Sequence, residues 1–236
     1  MTAARPLVVA HRGAWGVVAP QNSLAALETA IELGCDMVEL DVRVTRDRRL
    51  AVIHDARVGG GVGPLVSGLT LAELQGRLAP GQAPELDAIV QRAAGRIALD
   101  VELKVDAAVP AVLGVLARHL PPAGYVVTSF VDGALAAVRA LAPETRTGLL
   151  IGAGRRARHL ERRLEATQAS FVAPHASLAR GGLLAWAADR GLESYVWTVN
   201  DRRAMRALCA DPRVTAVITD RPQRALEART AVASPP

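Results

Sequence analysis

The stretch VELDVRVTRDRRLAVIHD, residues 38–55, holds two apolar, β-branched runs joined by a short charged segment. Alternation along an extended chain puts Glu39 and Asp41 on one face of the first run. The second run, Leu50 to Ile53, ends in His54. Only a handful of residues separate Val42 or Thr45 from Leu50, whereas a parallel crossover needs about a dozen. The two runs must therefore form a hairpin. A turn centred between Asp47 and Arg48 predicts that Asp41 lies opposite His54.

The hairpin decides the fold. Strand-like segments alternate with helix-like ones along the chain, at Leu7–His11, Met37–Val42, Leu50–His54, Ile97–Lys104, Tyr125–Ser129, Arg146–Ile151, Phe171–Pro174, Ser194–Val199 and Val214–Thr219. This is the pattern of an α/β fold with a parallel sheet. Nine strands are one too many for an eight-stranded barrel, and the hairpin accounts for the surplus. The predicted fold is a (β/α)8 TIM barrel in a single domain over residues 1–236, with reactive groups at the C-terminal strand ends. An open Rossmann-type sheet is the rival, but no GxGxxG follows the first strand.

Helix signals sit where a barrel needs them. Asn22 and Ser23 can cap a helix from Leu24 to Leu33, with Gly34 as its stop. After the hairpin, residues 56–96 read as the largest insertion, with a capping-box pattern at Thr70-Leu-Ala-Glu73 and a helix opened by Pro84 and running to about Ala94. A last helix after Pro222 is expected to cover the barrel bottom, and residues 231–236 read as a loose tail.

Half of the 236 residues are apolar, which argues against disorder, yet the longest apolar runs fall short of the roughly 18 to 20 residues that span a membrane. Met1 to Pro6 shows no secretory leader, and two lone cysteines, Cys35 and Cys209, make no disulfide framework. A cytoplasmic location without a stable membrane anchor is expected. The net charge is +5, but the arginines are scattered and aromatics make up 3%, so little is present to stack bases and no nucleic-acid partner is expected. The denser run GRRARHLERR, residues 154–163, reads as a solvated helix face. Nothing in the sequence sets the oligomeric state.

Ionisable residues cluster at strand ends, where packing alone would not choose them. His11-Arg12-Gly13 follows the first strand; the second carries Glu39 and Asp41; His54-Asp55 ends its hairpin partner; Asp100, Glu102 and Lys104 alternate along another. Lys104 is the only lysine in the chain. Burying one unpaired carboxylate costs several kcal/mol, so these acids demand compensating charge. One solution is an ion-pair network with Arg12, Arg43 and Lys104. The other is a divalent cation held by Glu39, Asp41 and Glu102, since oxygen ligands suit Mg2+, Mn2+ or Ca2+. His11 and His54, flanking the acids, fit an acid/base pair.

HRG at 11–13, PQNS at 20–23, ELDV at 39–42, TRD at 45–47, HD at 54–55, ELK at 102–104, SF at 129–130, WTVN at 197–200 and ITDRP at 218–222 together resemble the glycerophosphodiester phosphodiesterases, in the same order. The resemblance implies a (β/α)8 barrel that hydrolyses glycerophosphodiesters to glycerol 3-phosphate and an alcohol. It implies catalytic His11 and His54, one divalent metal ion on Glu39, Asp41 and Glu102, phosphate contacts from Arg12 and Lys104, and a small-molecule partner. Trp197 either stacks on the substrate or fills the barrel. Gln21 and Ser23 depart from the family's usual PENT, which implies one negative charge fewer near the metal. Two alternatives remain: a lysophospholipase D-like activity with Leu65, Val66 and Leu69 as an apolar groove, and a phosphate-binding barrel without turnover. Asp220 is expected to order its loop through Arg221.

Overall fold

The structure, a computed structural model, describes residues 5–154, 159–180 and 182–233. In chain order its elements are β1 (Leu7–His11), α1 (Trp15–Val18), α2 (Leu24–Glu32), β2 (Met37–Val44), β3 (Leu50–Val52), α3 (Leu71–Gln75), α4 (Leu86–Ala93), β4 (Ala98–Leu103) and α5 (Val109–His119). There follow β5 (Tyr125–Ser129), α6 (Asp132–Leu141), β6 (Thr147–Ile151), α7 (Leu160–Thr167), β7 (Phe171–Pro174), α8 (Ala176–Ala179), α9 (Leu183–Ala188), β8 (Glu193–Val196), α10 (Arg202–Ala210), β9 (Ala216–Thr219) and α11 (Pro222–Ala233). Eight parallel strands close into a ring through the β1–β2 and β1–β9 pairings, and β3 hangs antiparallel on the upper half of β2. This is the TIM barrel that the hairpin argument predicts.

The hairpin register departs from the expectation by one residue. Val42 pairs with Val52 and Val44 with Leu50, so Asp41 lies across from Ile53, whose N–H donates to the Asp41 carbonyl at 2.9 Å, and not from His54. The cause is the turn. Thr45 and Arg49 close it, and Arg48 takes a positive φ of 61°, so the loop is centred on Asp47. The Thr45 hydroxyl donates to Asp47 at 2.6 Å and stiffens that geometry.

Alternation along the strands separates two layers. Inward residues such as Val9, Met37, Val126, Leu150, Phe171 and Tyr195 fill the barrel, while outward ones such as Val8, Leu99, Val127 and Val217 pack on the helices. Phe171 stacks on Tyr195 with ring centroids 4.2 Å apart. Gly148 makes room for that layer, since a Cβ there would come within 2.4 Å of the Phe171 ring.

Three local expectations need correction. The segment 56–96 is not one insertion. Its last part, α4, is a barrel helix whose Leu86, Ile89 and Val90 join the main core, whereas Val66, Leu69, Leu74 and Ala83 form a separate small core with Ala51. The helix after Pro222, α11, packs against the outside of β1 and β9 beside α10 as the last barrel helix, and it carries the chain to Ala233 where a loose tail was expected from 231. Of the run 154–163, residues 155–158 lie outside the described residues, as do Met1 to Ala4 and residues 234–236. Arg163 is not on a solvated face: it is largely buried and holds Asp132 at 2.7 Å. Among the described residues no helix is long and apolar enough to cross a membrane.

Candidate active site

The β1–α2 connection builds the first wall. Arg12 and Gly13 both turn into positive φ, at 57° and 78°, and a Cβ on residue 13 would sit 2.7 Å from the Ala26 side chain, so the close approach to α2 requires glycine. This turn aims the Arg12 N–H at Glu39 Oε2, 2.9 Å away. Ser23 caps α2 by accepting from the Ala26 N–H. Asn22, expected to share that work, instead bridges to β2: its Nδ2 donates to Asp41 Oδ2 at 2.8 Å, and its Oδ1 accepts from the Asp41 N–H at 3.2 Å.

The parallel register of β2 and β4 sets the acids in two tiers, Glu39 beside Asp100 and Asp41 beside Glu102. All four are buried. One carboxylate oxygen from each of Glu39, Asp41 and Glu102 lies within 4.8 Å of the others. Lys104 Nζ bridges two of these acids, 2.8 Å from Asp41 and 2.5 Å from Glu102, and Arg12 Nε lies 3.3 Å from Asp41. Thr128 donates to Asp100 Oδ1 at 2.7 Å.

Charge follows from this placement. Burial, joined by Asp41, Glu102 and Asp100, pushes Glu39 well above the usual carboxylate range. Burial likewise raises Glu102 to about 7, against the pull of Lys104, and raises Asp100 to about 7, against its bond from Thr128. Asp41 goes the other way: burial opposes its charge, but Lys104, Arg12 and His54 outweigh it and bring it to about 2. Four buried carboxyl groups thus face two contacting cations, and Glu39, Asp100 and Glu102 hold their protons where only Asp41 stays charged. An all-oxygen donor set that can give up those protons to a metal fits a divalent cation of the Mg2+, Mn2+ or Ca2+ kind.

Both histidines line one cavity of about 140 Å3 with Glu39, Asp100 and Glu102, and with Arg12, Lys104, Phe130 and Trp197. Each has a carboxylate on Nδ1, Asp220 at 2.6 Å for His11 and Asp55 at 2.7 Å for His54. His11 Nε2 is 3.9 Å from Glu39. Burial lowers the His54 pKa, more than Asp41 and Asp55 raise it. Trp197 is held edge-on to Phe130 and His175, at 5.5 and 5.1 Å between centroids, and its indole N–H donates to the Ala173 carbonyl at 2.7 Å. It forms one wall of the cavity.

Asp220 is the residue that sequence reasoning underrated. Besides His11 it accepts from Asn200 Nδ2 at 2.6 Å, and its own N–H donates to Asn200 Oδ1 at 3.0 Å. The signal was present in the topology, because barrel closure pairs Thr219 with Ala10 and so sets Asp220 next to His11. Gln21 contacts Arg12: its Oε1 accepts from Arg12 Nη1 at 2.8 Å.

Residues 11–224 match the glycerophosphoryl diester phosphodiesterase family. The chain belongs to that family. Bacillus subtilis YhdW is 31% identical over 238 residues, covering 91% of this chain and 94% of that protein. The crystal structure of a glycerophosphodiester phosphodiesterase from Parabacteroides distasonis superposes with a TM-score of 0.85 at 25% identity, covering 98% of this chain and 99% of that one. An Oleispira antarctica phosphodiesterase, solved in complex with the product sn-glycerol-3-phosphate, gives 0.80 at 26% identity over 95% of this chain and 96% of that one. Membership of the glycerophosphoryl diester phosphodiesterase family places the chain among the phosphodiester hydrolases.

Proposed function

We propose that this chain hydrolyses small glycerophosphodiesters to glycerol 3-phosphate and an alcohol, using one divalent cation on Glu39, Asp41 and Glu102 and the His11–His54 pair for proton transfer. The observation that carries this reading is the convergence of three acid oxygens within 4.8 Å, with Glu39 and Glu102 on the wall of the cavity that both imidazoles line. The glycerol 3-phosphate in the Oleispira relative supports the product. When bound, the cation supplies Lewis-acid polarisation of a phosphoryl oxygen and offsets developing charge.

The protein's own groups do the rest. Arg12 and Lys104 face the phosphoryl group as fixed cations, and their charge counts most in the transition state, where negative charge accumulates on the equatorial oxygens. With Nδ1 of each histidine engaged by a carboxylate, Nε2 is left for the reacting atoms. One imidazole takes the proton of the nucleophile and the other returns one to the leaving oxygen. Trp197 and Phe130 give the glycerol part an apolar wall. The lysophospholipase D-like alternative loses its groove, since Val66 and Leu69 are buried in the core of the excursion and only Leu65 is exposed.

The test is release of glycerol 3-phosphate from glycerophosphocholine, with EDTA and after re-addition of Mg2+, Mn2+ or Ca2+. EDTA should abolish turnover, one of the ions should restore it, and His54→Ala should lower kcat by at least about 100-fold. Turnover that survives EDTA removes the cation from this reading, and full activity in His54→Ala removes the imidazole.

A further inference from the structure

A second cavity, of about 250 Å3, adjoins the first, and His54 is the one residue that lines both. Gln21 and Asn22 of the β1–α2 connection form one side, Asp55, Arg57 and the glycine loop form another, and Gln82 closes the end. A phosphodiester has two arms. With the phosphoryl group at the acid cluster and the glycerol arm against Trp197 and Phe130, the remaining arm has to pass His54 into this second space. We propose that this cavity is the subsite for the leaving alcohol and that it selects a hydroxylated alcohol over a simple alkyl one. The inference rests on the reaction proposed above.

The lining decides the class. Asp55 and Arg57 cancel in net charge, so the cavity has no overall sign with which to choose a charged head group. Gln21 and Gln82 are carboxamides, able to donate and accept at once, which matches the dual character of a hydroxyl. Gly59 and Gly60 hold φ of 69° and 71° and carry no Cβ, so peptide groups approach the space directly. Val52, Ile53, Val58, Leu78 and Ala83 complete the lining and give the carbon skeleton of the alcohol an apolar seat between these polar groups. Arg57 is held in place by donating from Nη1 to the Gly63 carbonyl at 3.0 Å. Gln82 Oε1 accepts from the Ala79 N–H at 3.0 Å, which leaves its amide nitrogen for a ligand.

The experiment compares kcat/KM for two diesters that share the glycerol 3-phosphate half, one esterified to glycerol and one to methanol. Arg57→Leu and Gln82→Leu are measured beside the parent. The parent should favour the glycerol diester, and the glycerol-to-methanol ratio should shrink by about 5- to 10-fold in each variant, the loss of one hydrogen bond. The change in ratio between parent and variant cancels intrinsic leaving-group reactivity and any loss of folded protein. Should Gln82→Leu fail to fold for want of its turn contact, Arg57→Leu alone decides. Ratios unchanged in the folded variants overturn the subsite. If the parent hydrolyses both glycerol 3-phosphate diesters at equal rates, only the subsite falls; if it hydrolyses neither, the reaction itself is wrong and the subsite goes with it.

Discussion

Asp100→Asn should stabilise the metal-free protein at pH 8 and do less at pH 5. Asp100 is fully enclosed in the barrel, with one oxygen bonded to Thr128 and the other, Oδ2, without a hydrogen-bond partner. Burial raises its pKa from 3.8 to about 7. A carboxyl whose folded value is raised binds its proton more tightly in the native state. Its contribution is therefore most favourable below the unfolded value and is lost as pH rises through the folded one. About three pKa units at roughly 1.4 kcal/mol each make an order-of-magnitude cost of 4 kcal/mol at pH 8. At pH 5 the same reasoning leaves about 1.5 kcal/mol. Asparagine keeps the shape and the acceptor for Thr128 and removes the titration. The gap between variant and parent should thus widen by about 3 kcal/mol from pH 5 to pH 8, or on the order of 10 °C in thermal midpoint for a chain of this size. Glu39 and Glu102 remain in both proteins, and because the Asp100 charge raises Glu39, its removal eases Glu39 too and adds to the gap at pH 8 in the same direction. Melting curves in EDTA at the two pH values supply the measurement. A gap that does not change with pH, or a variant less stable at pH 8, refutes the argument.

Asp220→Asn should lower kcat by about 10²- to 10³-fold with KM and thermal midpoint little changed, because it removes the carboxylate that orients His11; a change confined to KM would contradict this, as steady-state kinetics will tell. Lys104→Met should abolish turnover yet tighten divalent-cation binding by calorimetry, since it removes the ammonium between Asp41 and Glu102; weaker binding would mean that Lys104 organises the acids instead of competing for them. Cation affinity should rise with pH through about 7, because Glu102 holds its proton to that range, Glu39 is raised as well, and both must release their protons to ligate. Calorimetry in two buffers of different ionisation heat should show proton release below pH 7, and its absence would place the cation elsewhere.

The parts of this fold that local chemistry dictates were legible in the sequence. Alternation marked the nine strands, the short link between Val42 and Leu50 forced the hairpin, and Thr70 with Glu73 forms the predicted capping box. What escaped depends on backbone choices or distant neighbours. Arg48 takes a positive φ with no glycine to announce it, and that single residue shifts the hairpin register. Asp220 meets His11 across 209 residues, visible only once the barrel is closed. Leu65, Val66 and Leu69 look alike in the sequence, but the excursion needs a core of its own, and two of the three are spent on it.

The hairpin does more than add a strand. The lower half of β2 pairs with β1 at Met37 to Glu39, and its upper half leaves β1 to pair with β3 from Val42 to Val44. The ring is therefore open on that side above Glu39. Into the gap comes Asn22, whose bonds to Asp41 replace the missing strand contact. Arg43 donates from Nε to the His54 carbonyl at 2.8 Å, which fixes the end of the hairpin at the rim. Arg46, at the turn, reaches Glu73 and the Gly68 carbonyl and ties down the excursion. One departure of β2 from its neighbour thus sets Asp41 against Asn22 and puts His54 on the lining of two cavities. A barrel in which β2 stayed paired with β1 along its whole length would keep the acids but leave Asn22 no place against the Asp41 backbone, and the β1–α2 connection would lose its tie to β2.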